Sequence, residues 1–187
     1  MAPRRIPIGP ANRVTFVRAV FTGAVTVLVA RRVRGERVRN VLTGLATGAL
    51  ALDAVDGWVA RHTHSASAFG ARFDGEADAV LIAALSPHAA RRYGLWVLPA
   101  GAARYAFGMA GWVWPWLRRP LPYRYWRKVA TATEGIALVA AASDLLPRRL
   151  VRAGLAVGSA LIAESFGRDV VWLWRRREHC ADAGSPV

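Results

Sequence analysis

Cysteine is almost absent: Cys180 is the only one in 187 residues, so neither an intramolecular disulfide framework nor a thiolate zinc site can form. Acidic residues are scarce, 12 against 26 Lys and Arg, giving a formal charge of +14. There is no internal repeat and no low-complexity block. The opening, punctuated by Pro3, Pro7 and Pro10 beside Arg4 and Arg5, lacks the short apolar core and small-residue cleavage site of a secretory signal. What the chain has in quantity is apolar: 54% hydrophobic residues and eight Trp. A strongly basic protein is a candidate nucleic-acid binder. Here, however, the bases stand in short clusters between long apolar runs, which is the pattern of juxtamembrane loops. The reading is a single-domain membrane protein, with no nucleic-acid partner.

The apolar runs predict six spans. They cover about Val14–Ala30, a second beginning near Val38 and carrying Leu42–Val59, then Phe69–Leu85, ended by Pro87, Arg91 and Arg92. The last three are about Leu95–Leu117, Val129–Leu146 and Leu150–Leu173. The expected fold is all-α, an integral membrane bundle of six transmembrane helices over residues 12–177. A basic arm precedes it at 1–11, and a polar tail at 178–187 reads as disordered. Trp112, Trp114 and Trp116 read as an interfacial belt. An even number of spans puts both termini on one side. That side collects Arg4, Arg5, Arg61, Arg72, the loop from Arg118 to Lys128 and Arg175–Arg177; the other collects Arg31–Arg39, Arg91, Arg92 and the Arg148 cluster. The bias favours a multi-pass protein of the cytoplasmic membrane with its termini inside.

Because acids are few, their grouping is informative. Asp53, Asp56, Gly57 and Ala60 stand at offsets of three, four and seven, which on a helix confines them to an arc of roughly 100°. Gly70, Asp74 and Asp78 recur in steps of four and form a second small-and-acidic stripe. Carboxylates packed so closely repel, and a divalent cation relieves that repulsion. An oxygen-only donor set suits Mg²⁺ or Mn²⁺, and Mg²⁺ usually completes its shell with phosphate oxygens. Gly57, Ala60 and Gly70 leave room against the backbone, and Arg61 offers a planar fork for phosphate. The stretch reads as a metal-diphosphate site, with His62 and His64 as loop residues rather than ligands.

The pattern D-x-x-D-G-x-x-A-R, eight residues, G-x-x-x-D-x-x-x-D resembles the signature of the CDP-alcohol phosphotransferases at every fixed position. Upstream, Asn12, Thr15 and Arg18 are similar to the N-x-x-T-x-x-R segment of many members, although a helix cap and a snorkelling arginine also account for them. The resemblance implies transfer of a phosphatidyl or similar group from a CDP-linked lipid such as CDP-diacylglycerol to an alcohol, with release of CMP. It implies Asp53, Asp56, Asp74 and Asp78 as ligands of a metal pair and Asp78 also as the general base. It further implies Gly57, Ala60, Arg61 and Gly70 as the cytidine nucleotide site, membrane lipids as surroundings, and a homodimer.

Arg104, Lys128 and Arg168 fall in or at the ends of later spans and are candidates for a pocket that takes a phosphate on the acceptor, as in glycerol 3-phosphate or inositol phosphate. The alternatives are an Arg168–Glu164 pair at i,i+4 and a snorkelling Lys128. Lys128-Val-Ala-Thr131-Ala-Thr-Glu134 resembles the K-x-x-T-x-x-Q segment of phosphatidylglycerophosphate synthases, with Glu134 in place of Gln. Ala79 stands where those synthases commonly carry a lysine after the fourth aspartate, which leaves the acceptor open. A membrane transporter or metal channel would also use intramembrane carboxylates. It leaves Gly57, Ala60, Arg61 and Gly70 at their fixed intervals unexplained.

Overall fold

The computed structural model describes residues 10–31, 35–62, 68–118, 121 and 125–182, with side chains described at 16–31, 35–55, 75–118, 121 and 125–176. Among the described residues there are six α-helices and no strand. They are α1 (Pro10–Ala30), α2 (Glu36–His62), α3 (Ala68–Tyr93), α4 (Leu98–Val113), α5 (Tyr125–Ser143) and α6 (Arg148–Asp182). Single 3₁₀ turns at Leu95–Val97 and Pro115–Arg118 bracket α4.

Local chemistry explains most boundaries. Gly94 takes φ 111° and so stops α3, while its N–H still donates to the Ala90 carbonyl at 2.9 Å. The Trp96 indole N–H caps the Tyr93 carbonyl at 2.7 Å. Trp114 is extended and Pro115 follows, so α4 ends at Val113. The expected fourth span, continuous from Leu95 to Leu117, is therefore one helix between two 3₁₀ turns. Conversely, α3 runs through Pro87, where Ser86 Oγ donates to the Ile82 carbonyl at 2.7 Å. α5 begins at Tyr125, so the end of the expected basic loop is already helical. α6 continues past Arg177 to Asp182, into the segment read from sequence as a polar tail.

α3 is the central helix, packed on α1, α4 and α5, while α5 also packs on α2 and α6. The main core joins Val25 of α1, Leu42, Ala46 and Ala49 of α2, Leu81, Ile82 and Leu85 of α3, Leu138 and Ala141 of α5, and Leu155 of α6. Small side chains allow close helix approach. At Gly158 on α6 a Cβ would lie 2.8 Å from the Glu134 Cα and would also strike its carboxylate, so glycine is required where α6 crosses α5.

One helical segment among the described residues, Arg148–Arg176, is long and apolar enough to cross a membrane, and Phe16–Ala30 is a shorter apolar helix. The expectation of six such helices is met in number of helices but not in apolar length. The reason is visible in the chain: α2 carries Asp53, Asp56 and Arg61, α3 carries Arg72, Asp74, Glu76 and Asp78, and α4 has only 16 residues.

Candidate active site

Two core stripes change character at the same end of the bundle. On α2 the inward series Leu42, Ala46, Ala49 is continued one turn later by Asp53; on α1 the buried series Val25, Thr22 is continued by Arg18. α3 brings Asp78 to the same place, one turn before the buried Leu81 and Ile82. Apolar burial along the rest of each helix fixes the register that drives these charges inward.

Arg18 is 2% exposed and bridges the two carboxylates. Its Nη2 donates to Asp78 Oδ1 at 2.5 Å, and its Nη1 lies 2.8 Å from Asp53 Oδ1, an ion pair without hydrogen-bond angles. Asp53 and Asp78 are 14% and 16% exposed, so the cluster keeps a narrow opening. Lys128, in the first turn of α5, places Nζ 3.8 Å from Asp53 Oδ2. Four helices thus meet at one charged point. A buried guanidinium between carboxylates from two helices satisfies charge that would otherwise be costly to hold in an apolar core.

The snorkelling alternative for Arg18 does not hold: the side chain points inward and is ion-paired. Lys128 reaches the carboxylates rather than only the surface. Arg104 of α4 pairs with Glu76 on α3, two residues before Asp78, and lies against Gly75. Arg168 pairs with Glu164 on its own helix and is 64% exposed. The structure therefore joins Asp53, Asp78 and Lys128, puts Arg104 beside the same stretch of α3, and gives Arg168 a local partner. The side chains of Asp56, Gly57, Ala60, Arg61, Gly70 and Asp74 lie outside the described residues, as do those of Asn12 and Thr15. Their backbone is helical, with Asp56 to Arg61 on the last turns of α2 and Gly70 and Asp74 on the first turns of α3.

Among the described residues no group of three or more His, Cys, Asp or Glu forms a metal cluster. The two described carboxylates nevertheless fit a hard divalent cation: both are oxygen donors, they come from different helices, and they approach one cation, the Arg18 guanidinium.

Two buried acids are not among the expected site residues, although Glu134 stands in place of Gln in the Lys128–Glu134 segment. Glu134 is fully buried, accepts from Ser159 Oγ at 3.3 Å, and has its second carboxylate oxygen unpaired. Asp169 is 3% exposed and pairs with Arg127 Nε at 3.2 Å. Glu134 is detectable in sequence as the one acid in α5, whereas Asp169 sits among exposed charges and gives no such signal.

A search of the curated proteins finds no match. The protein-family model described as CDP-alcohol phosphatidyltransferase matches residues 10–165, from the start of α1 to the middle of α6. That stretch contains Arg18, Asp53, Asp78 and Lys128 and covers most of the chain. The protein belongs to the CDP-alcohol phosphatidyltransferase family, membrane-associated transferases of phospholipid biosynthesis that use a CDP-alcohol donor and generally depend on a divalent metal.

Proposed function

We propose that this protein transfers a phosphatidyl group from CDP-diacylglycerol to the hydroxyl of a small alcohol and releases CMP. The observation that carries the reading is the Arg18 bridge, which gathers Asp53 and Asp78 from two helices into one nearly closed ionic cluster. Asp53, Asp56, Asp74 and Asp78 would hold two Mg²⁺ or Mn²⁺ ions, which would supply positive charge to the donor's diphosphate and the departing phosphate.

The protein's own groups do the rest. Asp78 takes the proton from the acceptor hydroxyl as its oxygen bonds to phosphorus and the bond to the CMP oxygen breaks. Arg18 orients Asp78 through the 2.5 Å hydrogen bond and keeps Asp53 at a fixed separation from it. Gly57, Ala60, Arg61 and Gly70 receive the cytidine nucleotide. Lys128, 3.8 Å from Asp53, is the best placed of the three acceptor candidates to meet a phosphate on glycerol 3-phosphate or inositol phosphate. Arg104 and Arg168 complete that pocket only by leaving Glu76 and Glu164.

The membrane placement is multi-pass, with termini and carboxylates on the cytoplasmic side, in a homodimer. The outward face of the bundle supports contact with lipid: Phe16, Val20, Val41, Met109, Ile136 and Val157 are all at least half exposed, an apolar surface. Trp112 and Trp114 are exposed at the end of α4, as interfacial anchors would be. An ion path is the poorer account, since it gives no role to Gly57, Ala60, Arg61 and Gly70 at their fixed intervals from the aspartates.

The test is CMP release from CDP-diacylglycerol by detergent-purified protein with Mg²⁺ or Mn²⁺. The acceptors are glycerol 3-phosphate, inositol phosphate, inositol, serine and phosphatidylglycerol. Release that depends on one acceptor establishes the reaction and names the alcohol. A folded protein that binds no CDP-lipid and releases no CMP with any of them overturns it.

A further inference from the structure

At the end of the bundle remote from Asp53 and Asp78 lies a cavity of about 570 Å³. The cavity-lining Arg91 is 13 residues along α3 from Asp78, or about 20 Å at the helical rise. One part of its wall is apolar, formed by Leu28 and Val29 of α1, Leu42 of α2, and Ala141 and Ala142 of α5. Its charge is mostly positive, from Arg39, Arg91, Arg92 and Arg148 on three different helices, against one acid, Glu36, with His88 also in the wall.

These cations are only partly balanced. Arg39 lies 3.6 Å from Glu36, and Arg92 pairs with Asp144 at 2.6 Å. Among the described residues no ion pair within 4 Å is formed by Arg91 or Arg148, Arg148 acts on Asp144 only through longer-range charge, and Arg39 Nε is buried without a hydrogen-bond partner. Arg148 opens α6 and Arg39 lies in the first turn of α2, so both stand at positive helix ends, where a cation is unfavourable and an anion favourable. Guanidiniums are suited to phosphate, and the adjoining Leu and Val side chains are suited to a hydrocarbon chain.

We propose that this cavity is a second binding site, separate from the carboxylate cluster, for a phosphate group, with the arginines on the phosphate and the apolar wall along the chain of an anionic phospholipid. Neither Asp53 nor Asp78 contributes to it, so it is occupied whether or not the protein catalyses transfer.

The test uses the full chain in neutral detergent, with phosphatidylglycerol, phosphatidylcholine and inorganic phosphate as separate probes, read by native mass spectrometry and by thermal shift. Native protein and Asp78→Asn hold phosphatidylglycerol in preference to phosphatidylcholine. The double variant Arg91→Gln/Arg148→Gln loses that preference by ~10-fold or more, the effect of removing charge-assisted contacts, while Arg148→Lys keeps most of it. Displacement of the lipid by inorganic phosphate identifies a site that also takes the free anion; its failure identifies the lipid as the ligand, and both support the site. Equal binding of phosphatidylcholine by the native protein, with no thermal shift from phosphate, overturns it even if the double variant does not fold. Unchanged binding in a folded double variant overturns it as well.

Discussion

The two ends of this bundle hold charge in opposite ways. At the end where α2 finishes and α3 begins, Arg18, Asp53, Asp78 and Lys128 meet directly, and Arg18 is 2% exposed. At the other end, Arg39, Arg91, Arg92 and Arg148 surround an open cavity and pair incompletely, Arg39 with Glu36 and Arg92 with Asp144. Charges of both signs at one place can hold a metal and its diphosphate; an excess of cations around a void, four arginines against Glu36, can hold an anion. The same apolar stripes that bury Leu42, Ala46 and Ala49 position both ends, so one packing pattern serves two electrostatic tasks.

The sharpest way to break the comparison is to remove the acidic end. Chelation of divalent ions, or Asp53→Asn, should reduce CMP release by at least about a thousandfold, with Mg²⁺ or Mn²⁺ restoring the chelated enzyme only. Activity that survives both would separate the carboxylates from the reaction. Next is Arg18→Gln, which leaves two carboxylates facing each other without their bridge. Loss of one partner from a buried pair costs about 3–5 kcal/mol, so a clear fall in thermal midpoint is expected. Added Mg²⁺ should recover part of that fall if the carboxylates are the metal site, and none if they are not.

Between the ends, Gly158→Ala drives a methyl group into the Glu134 backbone on the facing helix. Overpacking of this kind costs about 1–3 kcal/mol, measurable by chemical denaturation, with CMP release per folded molecule largely preserved. The smallest effect belongs to the basic end. The Arg92 hydrogen bond, and then the charges of Arg92, Arg39 and Arg148, hold the Asp144 carboxyl below its ordinary 3.8. A depressed folded value contributes stability above pH 3.8 that is lost as the pH falls through it. Asp144→Asn should therefore be slightly less stable than native near neutrality and indistinguishable from it in acid. A difference that persists at low pH would assign the effect to the turn itself, where Asp144 has φ 59°.

Much of the acidic end was legible in the sequence because helical spacing alone groups Asp53 with Asp56 and Asp74 with Asp78. Arg18 was not legible in the same way. Whether an arginine in an apolar run snorkels or turns inward depends on what the neighbouring helices offer, and here that is two carboxylates from α2 and α3. The same holds for Arg104, whose partner Glu76 sits between the aspartates but off their stripe. The helix count was readable from apolar runs, while the break at Trp114–Pro115 and the passage of α3 through Pro87 depend on local hydrogen bonds that periodicity does not express. The basic cavity was hidden because its arginines come from three helices and appear in sequence only as loop charge.

The most direct measurement is CDP-diacylglycerol binding and CMP release on one preparation each of native protein and Asp78→Asn. If Asp78 accepts the acceptor's proton, release falls by about 10²–10⁴-fold, the usual contribution of a general base, while binding stays within a few-fold of native. A loss of binding as large as the loss of rate would contradict the base role and reduce Asp78 to a donor-site ligand.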